Sequence, residues 1–291
     1  MEQIVQSILH SNHRRLDLMA KIDKSQYTKE QWQVIKAQRK ADKELNRLRK
    51  NHNIDDSNTD QKYILCLKHG QKYSSDYVNK LYNMCKRNCT NFKFACLTDD
   101  PTGIDPDVII LDLPKNLAGW WCKPYIYSRD LPIKGVILYM DLDVVIASNI
   151  DHLFEYFPDD WCVIRDFTRV MRPKWEKYNS SVVRFKTGQL HFVWERFARQ
   201  QQVIQKRHFG DQDWLWEAAR GTAKLFPDNW IKSWKWEIRR SKEWAPGGTK
   251  GTRKFKYVEN ITPPDQCCIA VFHGDPNPHR CEDPWVVDNW K

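Results

Sequence analysis

The apolar positions of this chain follow two rhythms. Beyond residue 62, short continuous apolar runs alternate with segments whose apolar residues recur every three or four positions. Tyr63 to Leu67, Phe92 to Leu97, Val108 to Leu111 and Gly135 to Asp141 are runs of strand length. Between the first two, Ser75 is placed to cap a helix that carries Val78, Leu81, Tyr82 and Cys85 on one face. Trp120 to Tyr127 reads as another helix. Strands that are apolar throughout are buried on both faces, and strands alternating with helices make an α/β fold. The pattern therefore predicts a mainly parallel, Rossmann-like central sheet flanked by helices, with ligands at the carboxyl ends of its strands.

The second half is less regular. Cys162 to Ile164, Val182 to Phe185 and Ile269 to Phe272 are strand candidates, and Leu190 to Ala198 and Gln212 to Ala219 are helical in pattern. No internal repeat or low-complexity tract occurs. Residues 1–50 are highly charged with a thin apolar stripe through Trp32, Ile35, Leu45 and Leu48, and Thr28 with Gln31 forms a capping box. Asn51 to Asp60 is polar and reads as a linker. The expected organisation is an N-terminal helical extension and linker, 1–60, followed by one domain, 61–291. The extension is a solvated helical segment, a dimer helix or a basic arm; its charges balance too closely for a nucleic-acid tail.

Charge and cysteine usage narrow the class. Lys and Arg number 47 against 37 Asp and Glu, a net +10, which favours anionic partners such as nucleotide phosphates, nucleic acid or acidic lipid. No CxxC pair occurs among the nine cysteines, which excludes the usual zinc-site spacing and fits reduced thiols in a cytoplasmic protein. The N-terminus lacks a signal-peptide pattern, and no run reaches the ~20 apolar residues of a membrane span, so a soluble protein is expected.

The strand Gly135 to Tyr139 ends in Met140-Asp141-Leu142-Asp143. Positions two apart on a strand share a face, so Asp141 and Asp143 are expected to converge. Paired carboxylates beside a hydrophobic strand need a compensating charge, and a divalent cation with oxygen ligands supplies it.

This Asp-x-Asp segment resembles the DxD motif of GT-A glycosyltransferases, especially the glycogenin-like family 8 group and related bacterial and phage enzymes. Further matches run in the same order. Thr98-Asp99-Asp100 resembles the base- and ribose-contacting turn, and Lys123 the basic residue near the donor. Asn179-Ser180-Ser181-Val182 resembles the Asn-Ser-Gly segment of the sugar pocket. Gly210-Asp211-Gln212-Asp213 resembles the Asp-Gln motif near donor and acceptor, and Phe272-His273-Gly274-Asp275-Pro276-Asn277-Pro278 the C-terminal His-Gly-x-x-Lys-Pro motif. The resemblance covers residues 63–291. Two positions depart from it: Asn277 stands for the usual Lys and Ser181 for the usual Gly, so a phosphate contact has to come from elsewhere, Lys235 or Arg280.

The resemblance implies a GT-A-like fold and a metal-dependent transferase that uses a nucleotide-sugar donor, UDP-sugar first. It implies Asp141, Asp143 and His273 as metal ligands. It implies Thr98, Asp99, Lys123, Asp141, Asn179, Lys235 and Gly274 at the donor, and Asp211, Gln212 and Asp213 as catalytic candidates. Carboxylates with an imidazole suit Mn²⁺ somewhat better than Mg²⁺. Inverting chemistry needs a carboxylate base, whereas retaining chemistry, as in family 8, needs none; the sequence leaves both open.

Residues 229–257 are the most basic stretch, interleaved with Trp230, Trp234, Trp236 and Trp244. Three readings stand: a solvated loop over a tryptophan-rich core; a donor lid, since Ser233-Trp234-Lys235 resembles a Ser-Tyr-Lys segment of related bacterial sequences; or a nucleic-acid contact. The acceptor is accordingly a glycan or a hydroxymethylated DNA base, the latter being a DNA modification known from phage enzymes. The alternatives to a transferase of sugars are a nucleic-acid-binding module without activity and a metal-dependent nucleotidyltransferase.

Overall fold

The computed structural model describes residues 60–244, 255–257 and 262–291, with isolated positions between 28 and 36; for 240–244 and 255–257 it gives the backbone course alone. The capping box, apolar stripe and linker expected before residue 60 lie almost wholly outside the described residues. The chain divides into two units, Met1–Asn51 and His52–Lys291, and every described strand belongs to the second.

The main sheet has seven strands. β1 (Lys62–Lys68) pairs in parallel with β2 (Phe92–Thr98), and β2 with β3 (Ile109–Asp112). On its other side β1 pairs in parallel with β4 (Val136–Met140). These strands are mainly parallel and buried on both faces, so alternate side chains feed two separate cores. Ile64, Cys66, Phe94, Cys96, Leu138 and Met140 go to one; Tyr63, Leu65, Ala95, Leu97, Ile137 and Tyr139 go to the other. The start of β4 demands glycine. Gly135 has φ +149°, and a Cβ there would stand 2.1 Å from the Gln61 carbonyl oxygen.

α1 (Ser75–Asn88) covers the first face with Val78, Leu81 and Cys85. Its N-cap is Ser74, one residue before the expected Ser75, and no side chain caps it. The helix expected over Trp120 to Tyr127 is a 3₁₀ helix, Gly119–Tyr127, with Pro124 inside it; proline has no N–H for an α-helical bond there. That segment, with α3 (His191–Arg207) and α4 (Asp211–Ala219), covers the second face.

The less regular half completes the sheet. β5 (Val144–Ile146) leaves the main sheet after β4, followed by α2 (His152–Glu155), β6 (Cys162–Arg165) and β7 (Tyr178–Lys186). β7 runs antiparallel to both β4 and β6. Its amino end therefore lies beside the carboxyl end of β4, and the carboxyl end of β6 reaches the same edge. β8 (Lys224–Leu225) closes the order β3-β2-β1-β4-β7-β6-β8. A second sheet joins β5, β9 (Ile231–Ser233) and β12 (Ile269–Val271), with β12 central. β10 (Arg240–Trp244) and β11 (Phe255–Tyr257) form an antiparallel pair, and α5 (Pro284–Asn289) ends the fold. Cys66, Cys85, Cys89, Cys96, Cys122, Cys162, Cys267, Cys268 and Cys281 are all buried and unbridged.

Candidate functional site

β4 ends at Met140, one residue short of the first aspartate. The Asp141 N–H still donates to the Ser181 carbonyl at 2.9 Å, but the chain then bends into β5. Asp141 and Asp143 thus stand in a turn, and strand alternation no longer aims both at one point. Each has its own partners.

Asp141 belongs to a buried charge network. The Lys123 ammonium lies 2.7 Å from Asp141 Oδ1 and 3.5 Å from Asp211 Oδ2. The Tyr139 hydroxyl donates to Asp141 Oδ1 at 2.7 Å, and the Ser180 hydroxyl to Asp211 Oδ2 at 2.7 Å. Lys123 also reaches Ser180 Oγ at 3.2 Å. Burial works against the Lys123 charge, yet Asp141 and Asp211 outweigh it and hold the ammonium above its ordinary pKa. Burial likewise raises the Asp211 carboxyl, with Lys123 opposing.

Asp143 accepts a hydrogen bond from the Tyr73 hydroxyl at 3.0 Å. Burial, and then the charge of Asp141, push its carboxyl up to about 7, while Tyr73, Lys72 and Lys123 hold it back. Asp141 and Asp211 therefore flank one buried ammonium, and the charge of Asp143 also acts on it. This excess of negative charge at the edge of the sheet fits a cation, for which Asp141 and Asp143 supply hard oxygen donors.

His273 stands apart from that set. It follows β12, and its Nε2 is 2.6 Å from Ser233 Oγ, at the end of β9. Ser233 Oγ also accepts from the Trp236 N–H at 2.9 Å. Phe167 stacks on the imidazole and Trp236 meets it edge-on, with centroids 5.4 and 4.8 Å away. Burial and then the Lys235 cation drive His273 down to about 4, so the ring is neutral at pH 7. Among the described residues, no group of three or more His, Cys, Asp or Glu side chains is placed to hold a metal ion.

The remaining candidates line the same edge or its flank. Asp99 accepts from the Gly70 N–H at 3.2 and 3.1 Å and faces His69 Nδ1 at 3.0 Å, fastening the β1 and β2 loops together. Thr98 folds back on Asp100, its Oγ1 accepting from the Asp100 N–H at 3.1 Å. Asn179 Oδ1 accepts from the Ser181 N–H at 2.9 Å. Gln212 donates to Asp166 Oδ2 at 2.9 Å and accepts weakly from the Ser180 N–H at 3.4 Å. Asp213 faces away from this network and pairs with Lys177 at 3.2 Å. Lys235 donates to the His273 carbonyl at 3.3 Å, and a Cβ on Gly274 would stand 3.5 Å from its Nζ. Arg280 pairs with Asp275 at 2.8 Å.

Sequence reasoning missed Tyr73, Tyr139 and Asp166. Asp166 left a signal: it follows β6 directly, and its side chain accepts from the Thr168 N–H to start a 3₁₀ turn. Tyr73 left none, because it reaches Asp143 only through the fold. In the basic stretch, Trp234 is buried against Phe272 and donates to Asp283, and Glu237 is engaged by Arg169 and Lys232. Trp234 is thus a core residue and offers no face to a base. The side chains of 240–257 lie outside the described residues.

The mixed α/β fold, with its mainly parallel central sheet flanked by helices, is similar to that of solved glycosyltransferases. It matches an active-site mutant of LgtC with a TM-score of 0.51 at 12% identity, over 76% of this chain and 91% of that one. LgtC, a galactosyltransferase, in complex with donor and acceptor sugar analogues matches with a TM-score of 0.49 at 12% identity, over 79% and 96%. The glycosyltransferase GlyE of Streptococcus pneumoniae TIGR4 matches with a TM-score of 0.47 at 12% identity, over 59% of this chain and 47% of GlyE. The chain thus spans about half the length of GlyE. No protein-family model and no curated protein matches it in sequence. Among the described residues, no helix is long and apolar enough to cross a membrane.

Proposed function

We propose that this chain is a glycosyltransferase that moves a sugar from a nucleotide-sugar donor, UDP-sugar first, to a hydroxyl of a glycan acceptor. The observation that carries this is the buried ammonium of Lys123 held between Asp141 and Asp211 at the edge of a sheet with a glycosyltransferase's fold. A departing nucleoside diphosphate gathers negative charge, and a fixed cation at that point stabilises it without reorganising. Asp141 and Asp143 would hold the divalent metal, Mn²⁺ before Mg²⁺, whose contribution is Lewis-acid neutralisation of the diphosphate. His273 is neutral, the form that binds metals, and its Nε2 is engaged by Ser233, so coordination through that atom requires the bond to open.

The chain's own groups divide the remaining work. Asp99 and Thr98 shape the loops that receive the nucleoside. Asp211, raised by burial and fixed by Ser180 and Lys123, positions the acceptor hydroxyl or takes its proton. Trp120 and Phe209 are exposed at 56% and 86%, and their rings stack with centroids 6.2 Å apart. They lie three and two residues from Lys123 and Asp211 and offer a face for a sugar ring. A glycan is favoured over DNA because the described part of the basic stretch is spent internally, with Trp234 in the core and Lys235 on a backbone carbonyl.

A panel of nucleotide sugars, assayed for release of nucleoside diphosphate with Mn²⁺ and with EDTA, tests the reading. At least one donor should be turned over slowly with Mn²⁺, faster with a suitable glycan, and not by Asp211→Asn. Absence of release from every donor overturns it. Turnover of free nucleoside triphosphate instead would make the chain a nucleotidyltransferase.

A further inference from the structure

A cavity of about 570 Å³ opens between α3 and α4, on the side of α4 away from Lys123. Lys177, Arg196, Arg207 and Arg220 line it, against the carboxylates of Asp213 and Glu217. Lys177 is paired with Asp213, and Arg207 with Glu217 at 3.2 Å. Arg196 and Arg220 have no carboxylate partner among the described residues; Arg196 lies over the Trp214 ring at 5.1 Å. The pocket is thus concave and positive, with two guanidinium groups that no described carboxylate neutralises. Trp216 forms one wall, steadied edge-on by Tyr178 at 4.8 Å.

Two strands of chain tie this cavity to the proposed reaction centre. Arg207 leads through Phe209 to Asp211, and Lys177 leads through Tyr178 to Ser180, which holds Asp211 at 2.7 Å. Asp213, on the cavity wall, follows Asp211 within the first turn of α4. A molecule seated in the cavity therefore lies next to the element that presents Asp211.

We propose that this cavity binds an oxyanion, phosphate or carboxylate, carried by the acceptor glycan. The proposal rests on the sugar-transfer reading for its role but not for the binding itself. Planar guanidinium groups match oxyanions with paired hydrogen bonds, and a concave positive site concentrates their field. The indole wall suits the ring that bears the anion, and the volume is of small-ligand size.

Calorimetric titration of glucose 6-phosphate, glucuronate and neutral glucose tests this, in the wild type and in the double variant Arg196→Ala, Arg220→Ala. Both residues are exposed, so the variant should keep the fold; circular dichroism and unchanged UDP binding with Mn²⁺ verify that. The charged sugars should bind and glucose should not, and the double variant should lose at least about tenfold in affinity. Tighter binding of glucose 6-phosphate than of glucuronate would assign the oxyanion to a phosphate, the reverse to a carboxylate. Equal binding of charged and neutral sugars, or no change in the double variant, overturns the proposal. Binding of a short DNA duplex with no binding of either charged sugar overturns it too. Oxyanion binding without turnover of any donor would refute the transferase and leave the cavity's assignment standing; turnover without oxyanion binding would do the opposite.

Discussion

Replacing Lys123 by Met removes the one ammonium between two largely buried carboxylates while keeping most of the side chain's volume. The Lys123, Asp141 and Asp211 side chains are 11%, 23% and 12% exposed. At an effective dielectric of about 20, the two contacts are worth roughly 6 and 5 kcal/mol of gross attraction, most of which offsets desolvation. The measurable quantity is the penalty of leaving Asp141 and Asp211 without a counter-charge, about 3–5 kcal/mol. For a domain of this size, each kcal/mol moves Tm by about 2–4 °C, so Lys123→Met should unfold roughly 6–20 °C below the wild type at pH 7.5. The pH dependence gives a second reading. Without the ammonium, Asp211 is raised further, so its folded pKa lies above its unfolded value. The penalty is then full at high pH and relieved as pH falls through the folded pKa, and the gap in Tm should narrow from pH 8 to pH 5. The assay is thermal unfolding by circular dichroism across that range. A variant within about 2 °C of wild type at pH 7.5, or a gap that widens in acid, would refute the reasoning.

Asp143→Asn should flatten the pH profile of the metal-free protein. The folded pKa of Asp143, about 7, lies above its ordinary 3.8, so its contribution falls as pH rises through 7; in EDTA the variant should gain on the wild type in Tm at pH 7.5 and not at pH 4. Arg184 is fully buried, and its guanidinium donates to the carbonyls of Tyr156, Phe157 at 2.8 Å, Pro158 at 3.3 Å and Asp160 at 2.6 Å. Arg184→Met should cost about 3–5 kcal/mol in urea unfolding, since it orphans that loop's carbonyls. Gly135→Ala drives a Cβ against the Gln61 carbonyl at positive φ and should lower stability by more than about 1 kcal/mol in the same assay.

The legible part of the fold was the part whose burial leaves a local trace. β1, β2 and β4 have both faces covered, so their sequences are unbroken apolar runs. β7 was visible only from Val182 to Phe185, although it begins at Tyr178, because Asn179, Ser180 and Ser181 are buried polar residues that read as loop. Its antiparallel course, which carries Ser180 to Asp141, has no sequence signal at all. The second sheet was hidden because β5 and β9 are three residues each. In the site, strand alternation singled out Asp141 and Asp143 and the resemblance added Lys123, which lies 2.7 Å from Asp141. Asp143 was placed by strand alternation that stops at Met140, and its partner Tyr73 comes from a loop seventy residues away. Asp211 and Asp213 were both read as catalytic candidates, but positions two apart on a helical turn face different directions, one to Lys123 and one to Lys177.

Asp141, Asp143 and Lys123 are proposed to receive a metal-bound nucleoside diphosphate. Titration of UDP into the protein with Mn²⁺ and with EDTA, for wild type and Asp143→Asn, tests it most directly. Binding should appear with Mn²⁺ in the wild type and be lost in EDTA and in the variant. Equal UDP affinity in all of these conditions, or none in the wild type with Mn²⁺, would contradict the account.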